Sequence, residues 1–301
     1  SRPAVQHRGC SRVRRHWLRI FAGLLLWFPL TLHAASEAPY SRIVTLDWGL
    51  AETLIGIGVT PLAVADLTNY RRWVGEPQMP PQVHNLGLRS EPNLELLTQL
   101  KPDLILITPQ FEAARPLLER IAPVKSLAIY RPDSDPLQTA EEITRELAEL
   151  TGHQPQAQQL VDDFERQLAR LRGKLAGQSL PPFYLVSFID ERHVRVYGEH
   201  NLFSAVLARL GQKNAWQAGD NYWGYAQAGV EQLADNPDAA LIYFAPLPLN
   251  TEQQLAGSKL WQQMPFVQRG RVYAFPPTWQ LGGLLAARRF MGLFEEALSD
   301  E

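Results

Sequence analysis

Residues 134–177 constrain the fold more than any other stretch, because they read as a helical spine. Leu160, Phe164, Leu168, Leu171 and Leu175 follow at steps of four, four, three and four, and Gln, Asp, Glu and Arg fill the opposite face. That spacing puts the apolar side chains on one side of an α-helix. A helix of about 20 residues spans roughly 30 Å, the width of a small domain. A shorter helix precedes it. Ser134 or Asp135 offers an N-cap, Pro136 suits the first helical position, and Gly152 stops the helix after Leu137, Ala140, Ile143, Leu147 and Leu150. The spine is either a surface helix of one domain or a divider between two, and its flanks decide.

On its N-terminal side, short apolar runs alternate with helical ones. Residues 43–46, 62–65, 104–107 and 124–129 read as strands, and 51–58, 93–100 and 113–121 as helices. The Pro- and Trp-containing run 66–82 reads as a long loop. Such alternation predicts a parallel sheet covered on both faces. Beyond the spine the pattern starts over, with strands at 183–188, 194–197, 241–244 and 272–275 and helices at 204–210 and 283–298. The halves also echo each other. Leu94-Glu95-Leu96-Leu97 leads to Lys101-Pro102-Asp103 and an apolar strand, and Val230-Glu231-Gln232-Leu233 leads to Asn236-Pro237-Asp238 and another. The expected fold class is α/β: lobes at 36–152 and 179–301, joined by one long interdomain helix over 153–178. A cleft between the lobes is then the default ligand site.

The first 35 residues stand apart. Arg2, Arg8, Arg12, Arg14, Arg15 and Arg19 precede an apolar run over 20–32 and the small residues Ala34, Ala35 and Ser36, with no acidic residue before Glu37. The apolar run is too short to span a bilayer comfortably. A signal peptide over 1–35 is the reading, with a retained anchor as the alternative. Arg14-Arg15-His16-Trp17-Leu18-Arg19 is similar to the twin-arginine export motif, although the general secretory route stays open. Six of the 29 basic residues and none of the 31 acidic ones lie in the leader, which leaves 23 against 31 and a formal charge of −8. No basic surface for nucleic acid is expected. Cys10 is the only cysteine and belongs to the leader, so the mature chain has no thiol or disulfide. Its histidines, His84, His153, His193 and His200, include no i, i+4 pair, and no protein-held metal is expected.

Several longer stretches carry a resemblance. They are Tyr70-Arg71-Arg72-Trp73-Val74, the run from Gly87 through Arg89-Ser90-Glu91-Pro92-Asn93-Leu94-Glu95 to Leu97, Arg120-Ile121-Ala122-Pro123, Asn214-Ala215-Trp216-Gln217, Asn221-Tyr222-Trp223-Gly224, and the run from Trp261 to Val267. In order, over nearly all of the mature chain, they resemble class III periplasmic binding proteins of ABC importers, in particular those for ferric hydroxamate siderophores. The resemblance implies two Rossmann-like lobes joined by a helical backbone. It also implies a monomer in the periplasm that captures a ferric hydroxamate siderophore and delivers it to an inner-membrane ABC permease, touching the membrane complex only peripherally. The siderophore, not the protein, holds the iron, so no cofactor is expected. A haem, cobalamin or ferric catecholate binder of the same fold is the alternative. An enzyme such as a periplasmic hydrolase or siderophore-processing reductase is a remote one, since the chain has no G-x-S-x-G elbow, glycine-rich phosphate loop or HExxH.

The resemblance also implies a site. Arg89 corresponds to the arginine that contacts hydroxamate oxygens, a role that suits a guanidinium fork. Trp48, Trp73, Trp216, Trp223 and Trp279 are expected as aromatic walls with Asn221 beside them, and Trp261 as structure. Phe111 replaces a family tyrosine and loses its hydroxyl. Ile107 replaces a tryptophan, Leu281 a tyrosine and Tyr225 a serine, so Tyr225 is expected to resupply a hydroxyl. Glu95 and Glu231 correspond to the glutamates that meet permease arginines. A continuous helix resists hinge bending, so the cleft is expected to be largely preformed.

Overall fold

The computed structural model describes residues 39–299, and the signal-peptide reading of 1–35 lies outside the described residues. The first sheet contains β1 (Ile43–Thr45), β2 (Ala63–Val64), β3 (His84–Asn85), β4 (Leu104–Ile107) and β5 (Val124–Ser126). It is wholly parallel, in the order β3-β2-β1-β4-β5. Its central strands are buried along their whole length, as a sheet covered on both faces requires. The connecting helices are α1 (Trp48–Gly56), α2 (Leu67–Trp73), α3 (Leu94–Leu100) and α4 (Arg115–Leu118). Two of these differ from expectation. The run 66–82 is not loop throughout: Asp66 caps α2 by accepting the Asn69 N–H at 3.2 Å, and Tyr70 is buried beneath it. The helix expected over 113–121 is a 3-10 turn, Pro109–Ala114, followed by the single turn of α4.

The spine is two helices, α5 (Pro136–Thr151) and α6 (Gln154–Leu175). Asp135 caps α5 by accepting the Leu137 N–H at 2.9 Å, and Gly152 ends it at φ +70°. A positive φ suits glycine, which has no Cβ to clash. Leu160, Phe164, Leu168, Leu171 and Leu175 are all buried on one face of α6. Each such side chain contributes roughly 1.5–3 kcal/mol by leaving water.

The second sheet contains β6 (Phe183–Phe188), β7 (His193–Tyr197), β8 (Tyr225–Gly229), β9 (Ala240–Phe244) and β10 (Val272–Phe275), in the order β10-β9-β6-β7-β8. β10, β9 and β6 run parallel, but β7 pairs antiparallel with β6, and β8 with β7. The second half therefore does not simply repeat the first. Only residues 189–192 separate β6 from β7, and a parallel pair needs a crossover of about a dozen residues or more. The helices here are α7 (Leu202–Arg209), α8 (Thr251–Ala256), α9 (Lys259–Gln263), α10 (Pro265–Gln268) and α11 (Leu284–Ser299). The echo survives in three dimensions. α3 leads into β4, the parallel neighbour of β1, and the 3-10 turn Val230–Asp235 leads into β9, the parallel neighbour of β6.

α11 lies along α6, held by Arg170–Glu295 at 2.9 Å and by the Gln167 amide on the Arg288 carbonyl at 3.1 Å. It also reaches α1. A Cβ on Gly56 would lie 2.9 Å from Leu285 of α11 and 3.2 Å from Leu160 of α6, so three helices meet closely at this glycine. One apolar cluster runs from Ile43 and Leu54 through Ile143 and Phe164 to Phe183 and Phe290. The halves share this core.

Candidate ligand-binding cleft

Connections leave the first sheet in opposite directions between β1 and β4, and a crevice opens beyond those strand ends. Asp47 follows β1, caps α1 by accepting the Leu50 N–H at 2.9 Å, and is only 3% exposed. Burial raises its pKa to about 6, against the pull of the Leu50 N–H and of Arg89. Trp48 comes next and donates its indole N–H to the Ala65 carbonyl at 2.9 Å. Arg89 enters from the β3–α3 loop with its guanidinium 3.9 Å from the centre of the Trp48 ring and 5.8 Å from that of Phe111. Contacts of this kind orient a cation and hold it against an apolar wall. Burial lowers the Arg89 pKa, and the Asp47 and Asp66 carboxylates oppose that fall; an arginine stays charged regardless.

The segment between β10 and α11 completes this wall. Trp279 meets Trp48 edge-on, ring centres 5.1 Å apart, and Trp73 at the end of α2 packs into the same cluster under the Arg72 guanidinium. A buried carboxyl holds the segment in place. Glu52 of α1 is fully buried and accepts the Gly283 N–H at 2.8 Å, at the start of α11. Gly282 permits the approach, since a Cβ there would lie 2.2 Å from the Glu52 carboxylate. Burial raises the Glu52 pKa to about 8, so near neutral pH the group is largely protonated. Two donors of the wall have no partner among the described residues: the Thr108 hydroxyl, just past β4, and the Trp279 indole N–H. An unpaired buried polar group costs roughly 1–3 kcal/mol, so such groups mark places where a partner from outside is favoured.

The facing wall is the turn before β8. The Asn221 carbonyl group of the side chain accepts the N–H groups of Trp223 at 3.0 Å and Tyr225 at 3.2 Å, which shapes the turn. Trp223 stacks on Tyr130, which lies beyond β5, with ring centres 5.8 Å apart and 29° between planes. The Tyr130 hydroxyl donates to the Tyr222 carbonyl at 2.5 Å. Asp47, Thr108, Ile129, Tyr130, Trp223 and Leu281 are among the residues that line a cavity of about 30 Å³ between the walls. That volume holds a water or two, whereas small-molecule pockets measure roughly 300–1,000 Å³. The contact across this cavity involves Tyr222, 56% exposed on a turn, so it can part without bending a helix.

The structure brings Arg89, Trp48, Trp73, Phe111 and Trp279 into one wall, and Asn221 shapes the turn that carries Trp223 in the other. Trp216 goes elsewhere. Its indole N–H donates to the Gly219 carbonyl at 2.6 Å, and the ring packs on the outer core of the second sheet, beside Asn214 and Asn236. Tyr225 lies under the Arg195 guanidinium at 5.6 Å, and the tyrosines lining the cavity are Tyr130 and Tyr222. Trp261 packs edge-on against Phe188. Glu95 and Glu231 are exposed, each in the first turn of its echoed unit. Sequence reasoning missed Asp47, Thr108 and Tyr130. Their one shared signal is position: each follows the end of a parallel strand of the first sheet.

His193 pairs with Asp190 and His200 with Asp220, while His153 bonds the Thr151 carbonyl. No three potential metal ligands converge among the described residues, and no helix among them is long and apolar enough to cross a membrane.

A family model described as periplasmic binding protein matches residues 43–278. The chain is 35% identical to the iron(3+)-hydroxamate-binding protein FhuD of Escherichia coli, over 91% of this chain and 92% of that one. It is 29% identical to the achromobactin-binding periplasmic protein of Dickeya dadantii, over 92% and 93%. Among solved structures, the Fe3+–Desferal-bound siderophore-binding protein FhuD from Vibrio cholerae matches with a TM-score of 0.81 at 32% identity, covering 86% of this chain and 98% of that one. The fold extends to FeuA of Bacillus subtilis, a triscatecholate siderophore-binding protein, with a TM-score of 0.72 at 17% identity over 88% and 94%. With two α/β lobes, a helical spine and a match over most of its length, the chain belongs to the periplasmic binding protein family.

Proposed function

We propose that this protein binds ferric hydroxamate siderophores in the cleft between its lobes and hands them to the permease of an ABC importer. The observation that carries the reading is a cation set in an aromatic wall: Arg89, 3.9 Å from the Trp48 ring and flanked by Phe111. Ferric iron prefers oxygen donors, and hydroxamates supply them, so the protein need only grip the outside of the chelate. Arg89 suits the partly negative hydroxamate oxygens. Trp48, Trp73, Trp223 and Trp279 suit the alkyl linkers. Asp47 beside Arg89 offsets its charge and counts against strongly anionic catecholate chelates. The relatives support the same class: one is named for iron(3+)-hydroxamate, and another holds Fe3+–Desferal. On this reading the protein is a binding protein and not an enzyme, works in the periplasm as a monomer, and docks on its permease through Glu95 and Glu231, whose exposed carboxylates set register and on-rate.

Titrating the intrinsic tryptophan fluorescence with a panel of chelates tests it. Fe3+–Desferal should quench strongly, and haem, cobalamin and a ferric catecholate should not. Arg89→Ala should weaken the hydroxamate about ten-fold or more, the value of a hydrogen bond to a charged oxygen. Flat titrations for every ferric hydroxamate would overturn the reading.

A further inference from the structure

Tyr130 is the residue through which the two walls touch, and the function proposed above leaves it unused. Its hydroxyl donates to the Tyr222 carbonyl, 92 positions away in the chain, and its ring stacks on Trp223. We propose that this hydroxyl is a switchable donor, bonded to Tyr222 while the walls touch and to a hydroxamate oxygen once a chelate enters. The inference rests on the hydroxamate reading and names a ligand contact within it.

Three observations lead there. First, the contact and a bound chelate exclude each other. The cavity that Tyr130 and Trp223 help to line measures about 30 Å³, far below the space a small molecule occupies. A chelate makes room by separating Tyr130 from Tyr222. Second, the released hydroxyl is a half-exposed donor at the edge of that cavity, where a charged hydroxamate oxygen is a stronger acceptor than water. Burial, with Asp220, Tyr222 and Asp133 nearby, raises the Tyr130 pKa to about 12, so the group remains a donor at neutral pH. Third, the aromatic residues at the positions where a ligand hydroxyl was expected do not supply one. Phe111 has no hydroxyl, and Tyr225 lies under Arg195. Gly224 adds the room to move: even a Cβ there would come within 3.2 Å of the Tyr130 oxygen.

Tyr130→Phe tests this, since it keeps the ring and removes only the hydroxyl. Binding of Fe3+–Desferal is followed by stopped-flow tryptophan fluorescence, with circular dichroism melting as a check on folding. Association should quicken, because the bond to Tyr222 no longer has to break. Dissociation should quicken more, because a hydrogen bond to a charged oxygen outweighs one to a neutral carbonyl. Affinity should fall about five-fold overall. A purely structural ring would leave both rates unchanged in Tyr130→Phe, and that result overturns the proposal. Tighter binding also overturns it, since it would mean that the hydroxyl closes the cleft and never meets the ligand. If Tyr130→Phe behaves as the parent while Arg89→Ala weakens binding, only the role of Tyr130 falls. If the parent protein binds no ferric hydroxamate, the ligand class falls and this inference with it.

Discussion

Glu52 should make the fold less stable as pH rises. The carboxyl is fully buried, one oxygen accepting the Gly283 N–H at 2.8 Å. Burial, the largest cause, lifts its pKa from 4.5 to about 8, with Asp47 adding to the rise. In the unfolded chain the same group ionises at its ordinary value. Between those two values the folded protein keeps a proton that the unfolded chain has released, and stability falls with rising pH. The contribution is fully present below the lower value and gone above the upper one. One pH unit is worth about 1.4 kcal/mol, so the whole traverse amounts to on the order of 4–5 kcal/mol. That is a large part of a typical stability of about 5–15 kcal/mol. Asp47 contributes with the same sign, but its pKa of about 6 ends its share near that pH. The window from about pH 6 to about pH 8 therefore isolates Glu52. Glu52→Gln keeps the shape and the acceptor for Gly283 but cannot ionise. Urea unfolding across that window should show the parent losing about 2 kcal/mol relative to the variant. Parallel curves for the two proteins would refute the reasoning.

Two further outcomes follow from where side chains lie. Trp216→Ala should lower stability by about 1–3 kcal/mol in thermal or urea unfolding, since the ring packs on the outer core of the second sheet, and should leave Fe3+–Desferal affinity untouched; weakened binding by a folded variant would return Trp216 to the cleft. Glu95→Ala combined with Glu231→Ala should leave ligand affinity intact and impair uptake of the ferric siderophore by cells, and normal uptake would remove their docking role.

The spine was the most legible part of the chain because its signals are local. Asp135, Pro136, Gly152 and the apolar steps of α6 act through neighbours three or four residues away. α2 was hidden in a run of arginine, tryptophan and proline, and only the burial of Tyr70 and Leu67 against the sheet makes it worth forming. The antiparallel β6–β7 pair was legible in the short spacing at 189–192, a signal the alternation of elements masked. Arg89 and Trp48 were reached through resemblance and strand position, and the structure puts them 3.9 Å apart. Trp216 and Trp223 show the limit. Both are tryptophans in polar loops, and nothing in their sequence neighbourhood says which wall each ring faces. Tyr130 was passed over because its partners, Tyr222 and Trp223, lie more than 90 positions away.

The hydrogen bond between Glu52 and Gly283 joins residues 231 positions apart. The interior of the first lobe is therefore finished by α11, the last 16 described residues. Leu285 fills the notch at Gly56, and Phe290 joins the cluster that holds Leu54 and Leu160. A nascent polypeptide still short of that helix has no way to complete its first half. Contacts so distant in sequence form slowly. The first lobe thus consolidates only together with α11, and the two halves fold as one unit.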